Sequence, residues 1–186
     1  MWCSLRIISG KYKGKEVLGY QLEGTRPTQD RVKESLFAMI QNEVGEAKVL
    51  DLFAGTGNLG LEALSNGARH CTFVDNNPKA VQTIKKNMDN LNIPTNQNKV
   101  ILSDYQAFLN QDKESYDVIF LDPPYRYTFL PELLKELVTK EKITPGGIVV
   151  CEYEQGNLEE QIQDLIQIKD RKYGYKRITI YKREED

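Results

Sequence analysis

Asp122-Pro123-Pro124-Tyr125 has the residue types and spacing to act on a planar amine. It closes the run Tyr116-Asp117-Val118-Ile119-Phe120-Leu121, whose near-continuous apolarity reads as a strand buried on both faces of a parallel sheet. The prolines supply no amide donors to a ladder and force the chain out of the sheet. The Asp122 carboxylate, the Pro123 carbonyl and the Tyr125 ring are thereby expected together at a strand's carboxyl end, with Pro124 in the same turn. Ligands of open α/β sheets bind at that edge. Two acceptors and a flat aromatic surface would suit a group that carries an NH2. An ordinary exit from a strand would look the same in isolation, so the rest of the chain has to decide.

A second constellation lies upstream. Asp51-Leu52-Phe53-Ala54-Gly55-Thr56-Gly57-Asn58-Leu59-Gly60 contains the spacing G-x-G-x-x-G, which lets backbone approach a nucleotide at the start of a helix. Asp75, followed by Asn76, comes about 20 residues later, where an acid would accept from ribose hydroxyls. A nicotinamide or flavin dinucleotide is one reading. Asp51 tells against it, because a carboxylate just before the loop repels a pyrophosphate and attracts an ammonium or sulfonium. S-adenosylmethionine carries positive charge and no phosphate. Phe53, Ala54, Gly55 and Gly57 would then wrap its methionine portion. Asp75 and Asn76 would take the ribose, and Asp104 with Tyr105 the adenine. Each acid alone could be a helix cap or a surface residue; three at the ends of three successive strands favour the methyl donor.

The elements that must position these residues alternate from Lys48 onward. Strands are predicted over 48–53, 70–75, 99–102, 116–121 and 147–152, with helices through Ser65, over 78–92 (Asn77 as cap), 130–140 and 158–165. A closing antiparallel hairpin flanks Gly174. Such alternation predicts an α/β fold, a Rossmann-like sheet with helices on both faces. Residues 1–45 read as a hairpin-helix appendage: short strands over 5–9 and 16–18 around Gly10-Lys11-Tyr12-Lys13-Gly14, then a helix carrying Val32, Leu36, Met39 and Ile40, capped by Thr28 or Asp30. The expectation is one domain over 1–186, with the catalytic core at 46–186.

The chain is 40% apolar and 28% charged, which fits a globular protein, and no apolar run approaches the roughly 20 residues of a membrane span. The N-terminus lacks a secretory layout, and three scattered cysteines suggest neither a disulfide framework nor a metal site, so a cytoplasmic location is expected. Net charge is -2, yet residues 1–33 hold seven Lys and Arg against three acids, and residues 169–183 hold seven against one. Lys11, Lys13, Arg26 and Arg31, with Arg6 beside them, are candidate phosphate contacts. The C-terminal cluster could equally be a solvated face. His70, the sole histidine, starts a strand far from the acidic ends.

Taken in order, Asp-Leu-Phe-Ala-Gly-Thr-Gly, Phe73-Val74-Asp75, Ser103-Asp104 and Asp122-Pro123-Pro124-Tyr125 resemble the S-adenosylmethionine-dependent amino-methyltransferases. Leu5 to Gly14, Thr25-Arg26-Pro27-Thr28 and Asp30-Arg31-Val32-Lys33-Glu34-Ser35-Leu36-Phe37 narrow the resemblance to the bacterial 16S rRNA guanine-N2 methyltransferases, nearly end to end. Trp2-Cys3-Ser4 extends ahead of the usual start. The resemblance implies a seven-stranded methyltransferase sheet, S-adenosylmethionine as cofactor, no metal, and 16S rRNA in an assembling small ribosomal subunit as partner, acted on by a monomer. An adenine-N6 methyltransferase on RNA or DNA, or a non-catalytic RNA-binding assembly factor, remain the alternatives.

Overall fold

A computed structural model describes residues 5–19, 30–123, 129–154 and 156–185. Arg26, Thr28, Pro124 and Tyr125 lie outside the described residues. Five parallel strands form most of the main sheet: β3 (Lys48–Asp51), β4 (His70–Asp75), β5 (Asn98–Leu102), β6 (Tyr116–Leu121) and β7 (Ile143–Tyr153). Three antiparallel strands complete it: β8 (Gln161–Ile162), β9 (Leu165–Tyr173) and β10 (Lys176–Arg183). The order is β5-β4-β3-β6-β7-β10-β9-β8. The chain moves outward from β3 to β5 and then returns to the other side of β3, so β3 and β6 flank the point where the winding reverses. Crevices at such points hold ligands in this architecture.

Period-2 alternation sends each strand's side chains to two cores. Val49, Phe73, Val118, Phe120, Val150 and Ile178 pack under α1 (Asp30–Met39), α3 (Asn58–Ser65) and α4 (Pro78–Asn90). Leu50, Val74, Ile119, Leu121, Val149 and Tyr181 pack under α5 (Tyr105–Gln111) and α6 (Leu130–Thr139). Pro78 opens α4 and the Asn77 side chain accepts from Lys79 N–H, as the sequence predicts. Gly60 is required by packing: a Cβ there would lie 2.3 Å from the Phe73 ring, so only glycine lets α3 settle on β4.

The appendage consists of β1 (Leu5–Arg6), β2 (Glu16–Val17), α1 and the short α2 (Gln41–Val44). Its strands are shorter than the sequence predicts. Leu36 and Phe37 of α1 press onto the sheet, with the Phe37 and Phe120 rings 5.8 Å apart.

Strand β3 stops at Asp51, two residues short of the expectation, α2 was not expected, and three further elements differ. The helix predicted over 158–165 is absent: Ile162 and Leu165 sit opposite each other across the β8–β9 turn, where Gln163 has φ 52°. A two-residue turn places residues three apart on one face, which imitates helical spacing over so short a stretch. This tight hairpin also supplies an eighth strand beside the seven expected. Helix α5 was not predicted, although Tyr105, Phe108 and Leu109 are spaced for it and Asp104 caps it. Strand β7 begins four residues earlier than predicted, because Thr144 and Gly147 pack on β6 before the apolar run starts.

Candidate active site

The carboxyl ends of β3, β4 and β5 form one half of the rim, and each ends at or just before an acid. Asp51 is only 1% exposed, and its Oδ2 accepts from Gly60 N–H at 3.0 Å. Burial pushes its pKa from 3.8 up to about 7, the Gly60 hydrogen bond opposes this, and the charges of Asp75 and Glu152 add to the rise. Asp75 is half-buried, and both its oxygens accept from backbone: Gly55 N–H at 2.8 Å and Asn77 N–H at 2.9 Å. Asn76 is exposed between them. Asp75 therefore fixes the loop Ala54–Gly57, with Gly57 in the left-handed conformation at φ 82°. Ala54 N–H donates to Val74 carbonyl, joining the same loop to β4.

Asp104 caps α5, its Oδ1 accepting from Ala107 N–H at 2.9 Å. A carboxylate has about four lone-pair positions, so capping leaves acceptor capacity on this exposed residue. Beside it stand three aromatic rings. Phe53 and Tyr105 are 5.3 Å apart and tilted, while Tyr105 and Phe129 are 5.6 Å apart and nearly parallel at 3°. Phe129, just before α6, was missed by sequence reasoning. Its signal was weak: one aromatic preceding a Leu-Pro helix start.

The other half of the rim belongs to β6, β7 and β10. Asp122 is half-buried and Pro123 buried, immediately after β6. Leu121 pairs with Cys151, which places Asp122 alongside Glu152 of β7. Glu152 is 2% exposed and receives the Lys176 ammonium at 2.8 Å, from the first residue of β10. Burial acts to lower the Lys176 pKa, but the charges of Asp122 and Glu152 outweigh it and hold it above the ordinary lysine value. Lys176 thus serves as counter-ion to a buried glutamate and to Asp122 together. Sequence reasoning placed Lys176 in a surface cluster; it is 7% exposed.

Lys33, counted with the N-terminal basic cluster, is likewise internal. Its ammonium lies 3.1 Å from Glu62 and neither side chain is exposed. It also donates to the Arg6 carbonyl and to Asn58 Oδ1. Glu62 accepts from Ile8 and Ser9 N–H and from the Ser9 hydroxyl. The pair fastens the appendage to α3 just behind the glycine loop. Arg6 and Arg31 are exposed, and Arg6 is paired with Asp30, which is the first residue of α1. Lys11 and Lys13 are exposed in the hairpin turn, but Lys11 N–H donates to the carbonyl of Ser65, at the far end of α3. Eight residues of helix span about 12 Å, so these two lysines stand at the opposite edge of the sheet from the acids.

The donor set fits a cationic nucleoside better than a phosphate. Three acids and an aromatic trio border the loop, and none of residues 51–60 is a Lys or Arg. Together, a doubly covered parallel sheet with an antiparallel hairpin at one end and acids along its carboxyl edge define a Rossmann-like methyltransferase. Residues 5–182 match the family model described as Conserved hypothetical protein 95, and the chain belongs to that family. It is 38% identical over 183 residues to the Bacillus subtilis protein YlbH, provisionally named an rRNA methyltransferase, covering 96% of this chain and 99% of that one. To Ribosomal RNA small subunit methyltransferase D of Escherichia coli it is 33% identical over 153 residues, covering 82% and 76% of the two chains. The solved Escherichia coli structure of yhhF, provisionally assigned as a methyltransferase, superposes with a TM-score of 0.87 at 30% identity, covering 98% of this chain and 99% of that one.

Proposed function

We propose that this protein transfers a methyl group from S-adenosylmethionine to the exocyclic N2 of a guanine in small-subunit rRNA. One observation carries the reading: Asp122 and Pro123 end the strand beside the winding reversal, across from the acid-lined glycine loop of β3. Asp51, Phe53, Ala54, Gly55 and Gly57 would hold the methionine portion of the cofactor, Asp75 and Asn76 its ribose, and Asp104 and Tyr105 its adenine. When bound, the cofactor supplies an electrophilic methyl group on a sulfonium. The small-subunit rRNA methyltransferases among the relatives support RNA as the substrate class.

A guanine amine is a weak nucleophile because its lone pair is delocalised into the ring. The Asp122 carboxylate and the Pro123 carbonyl accept its two N–H bonds, which lets the nitrogen leave planarity and present its lone pair. Asp122 or water takes the proton once nitrogen has acquired the carbon. No strong base is needed, and orientation supplies most of the gain, since aligned reactants are worth several kcal/mol. Tyr125 stacks on the base, which must be unpaired or flipped out, with Pro124 against it. Arg26 and Arg31 contact phosphates beside the target, and Lys11 and Lys13, at the other edge of the sheet, contact phosphates remote from it.

Asp122→Ala is expected to lower turnover at least 100-fold, the scale seen when a polar group at the reacting centre is removed. Cofactor affinity should stay within a few-fold of wild type. The assay is methyl transfer to 16S rRNA from cells lacking the protein, followed by nucleoside analysis. N2-methylguanosine supports the reading, N6-methyladenosine replaces it with the adenine alternative, and full activity in Asp122→Ala sinks it.

A further inference from the structure

The C-terminal basic cluster has a place in the fold that its sequence does not disclose. Strand β10 runs antiparallel to β7, with Arg177 opposite Tyr153, so the β9–β10 turn stands at the carboxyl edge of the sheet. The turn, Gly174-Tyr175, follows Tyr173 and precedes Lys176, the residue paired with Glu152 and within reach of Asp122's charge. Tyr175 is 46% exposed, the most exposed aromatic among the described residues whose large apolar side chains reach solvent. Arg171 and Lys172 are both exposed and, by strand alternation, lie on opposite faces of the hairpin. The tip is braced: the Tyr173 and Ser35 hydroxyls are 2.5 Å apart, tying it to α1, whose first turn carries exposed Arg31.

A simpler account of the cations exists. Strand β8 covers β9 only at Leu165 and Ile166, and charged residues along an open strand discourage edge pairing. That account covers Lys169, but it gives no reason for a large exposed aromatic at the tip, next to the catalytic carboxylate. A flat ring flanked by cations is how single-stranded nucleic acid is gripped without regard to sequence.

We infer that the β9–β10 tip is a second wall of the RNA site, with Tyr175 stacking on a base neighbouring the target and Arg171 and Lys172 contacting the flanking phosphates. This rests on the proposal that the substrate is RNA. Arg31, one turn from Ser35 on α1, lies on the helix to which the tip is tied and extends this wall toward the appendage.

The test is binding of 16S rRNA from cells lacking the protein, titrated with salt, alongside methyl transfer by wild type. Tyr175→Ala should weaken binding about tenfold, Tyr175→Phe should bind as wild type, and Arg171→Glu with Lys172→Glu should weaken it further and reduce the salt slope by about 0.7 per lost phosphate contact. Lys169→Glu, lower on the same strand, should have a smaller effect than either. Cofactor affinity, measured by calorimetry, should be unchanged in all four and certifies folding. If wild type methylates the RNA while Tyr175→Ala and the double reversal bind it as wild type does, the second wall is refuted and the proposed function stands. If wild type transfers no methyl group to RNA, both fail.

Discussion

Both ends of the chain are basic, and in each a glutamate has drawn one lysine inside. Lys33 meets Glu62 at 3.1 Å and Lys176 meets Glu152 at 2.8 Å. The pairs differ in what else surrounds them. Lys33 and Glu62 are closed off, satisfied by the Arg6 carbonyl, Asn58, Ile8 and Ser9. Lys176 shares its charge with Asp122, directly beneath the β9–β10 turn. The first pair joins two parts of the fold; the second lies beside Asp122, the residue proposed to accept from the amine. A lysine in a basic stretch can therefore be a surface charge, a fastener or a counter-ion, and only its position in the fold separates these roles.

Breaking the first pair should have the largest effect. Glu62→Ala leaves the Lys33 ammonium buried without its partner and strips acceptors from Ile8 and Ser9 N–H, a loss of about 3–5 kcal/mol. In a protein of this size each kcal/mol shifts Tm by about 2–4 °C, so a fall on the order of 10 °C is expected in calorimetric melting. Lys33→Met with Glu62→Leu should recover much of it, because well-packed apolar replacements of a buried pair are often neutral. An unaltered Tm in Glu62→Ala would mean that the appendage is held by its other contacts, the packing of Leu36 and Phe37 and the Lys11–Ser65 hydrogen bond among them.

The second pair should separate stability from activity. Lys176→Met removes the counter-ion of Asp122 and Glu152, and two neighbouring carboxylates then favour protonation of one of them. A protonated or displaced Asp122 accepts poorly from the amine, and misplacement near a reacting centre costs about 10–100-fold in kcat. Cofactor affinity should change little, since Asp51 and Asp75 end other strands and Asp104 caps α5. The pH–rate profile gives the reading that a structural role would not: in Lys176→Met the acid limb should move to higher pH, while Lys176→Arg restores its position. An unshifted limb with reduced Tm would make Lys176 a second fastener.

How far these residues could be read from sequence follows from distance along the chain. Asp51, Asp75, Asp104 and Asp122 were legible because each ends or follows a strand whose apolar run is visible locally. Glu62, Glu152 and Lys176 were not, because their partners come from other elements; Lys176 and Glu152 are 24 residues apart and meet only once β10 has paired with β7. The strand order could not be read either. It puts Asp122 beside Glu152 and at the winding reversal, and a helical spacing imitated by the β8–β9 turn hid one strand altogether.

The smallest effect distinguishes the two halves of the rim by pH. Asp51 has its pKa raised from 3.8 to about 7 by burial, so below about pH 7 the folded protein holds it protonated. A cationic ligand prefers the carboxylate, and binding must then expel the proton. Affinity for S-adenosylmethionine should therefore rise with pH up to about 7, by at most tenfold per unit, and level off above. Calorimetry at about pH 6 in buffers of different ionisation enthalpy should register release of up to about one proton, falling toward none at about pH 8. Asp51→Asn should bind more weakly and without this dependence. Lys176 remains charged across the same range but also neutralises Glu152, whose charge adds to the rise in Asp51, so Lys176→Met should displace the cofactor's pH dependence without abolishing it, whereas Asp51→Asn removes it. A proton release that survives in Asp51→Asn would assign the linkage to another acid of the rim and remove the argument that Asp51 is there to meet a positive charge.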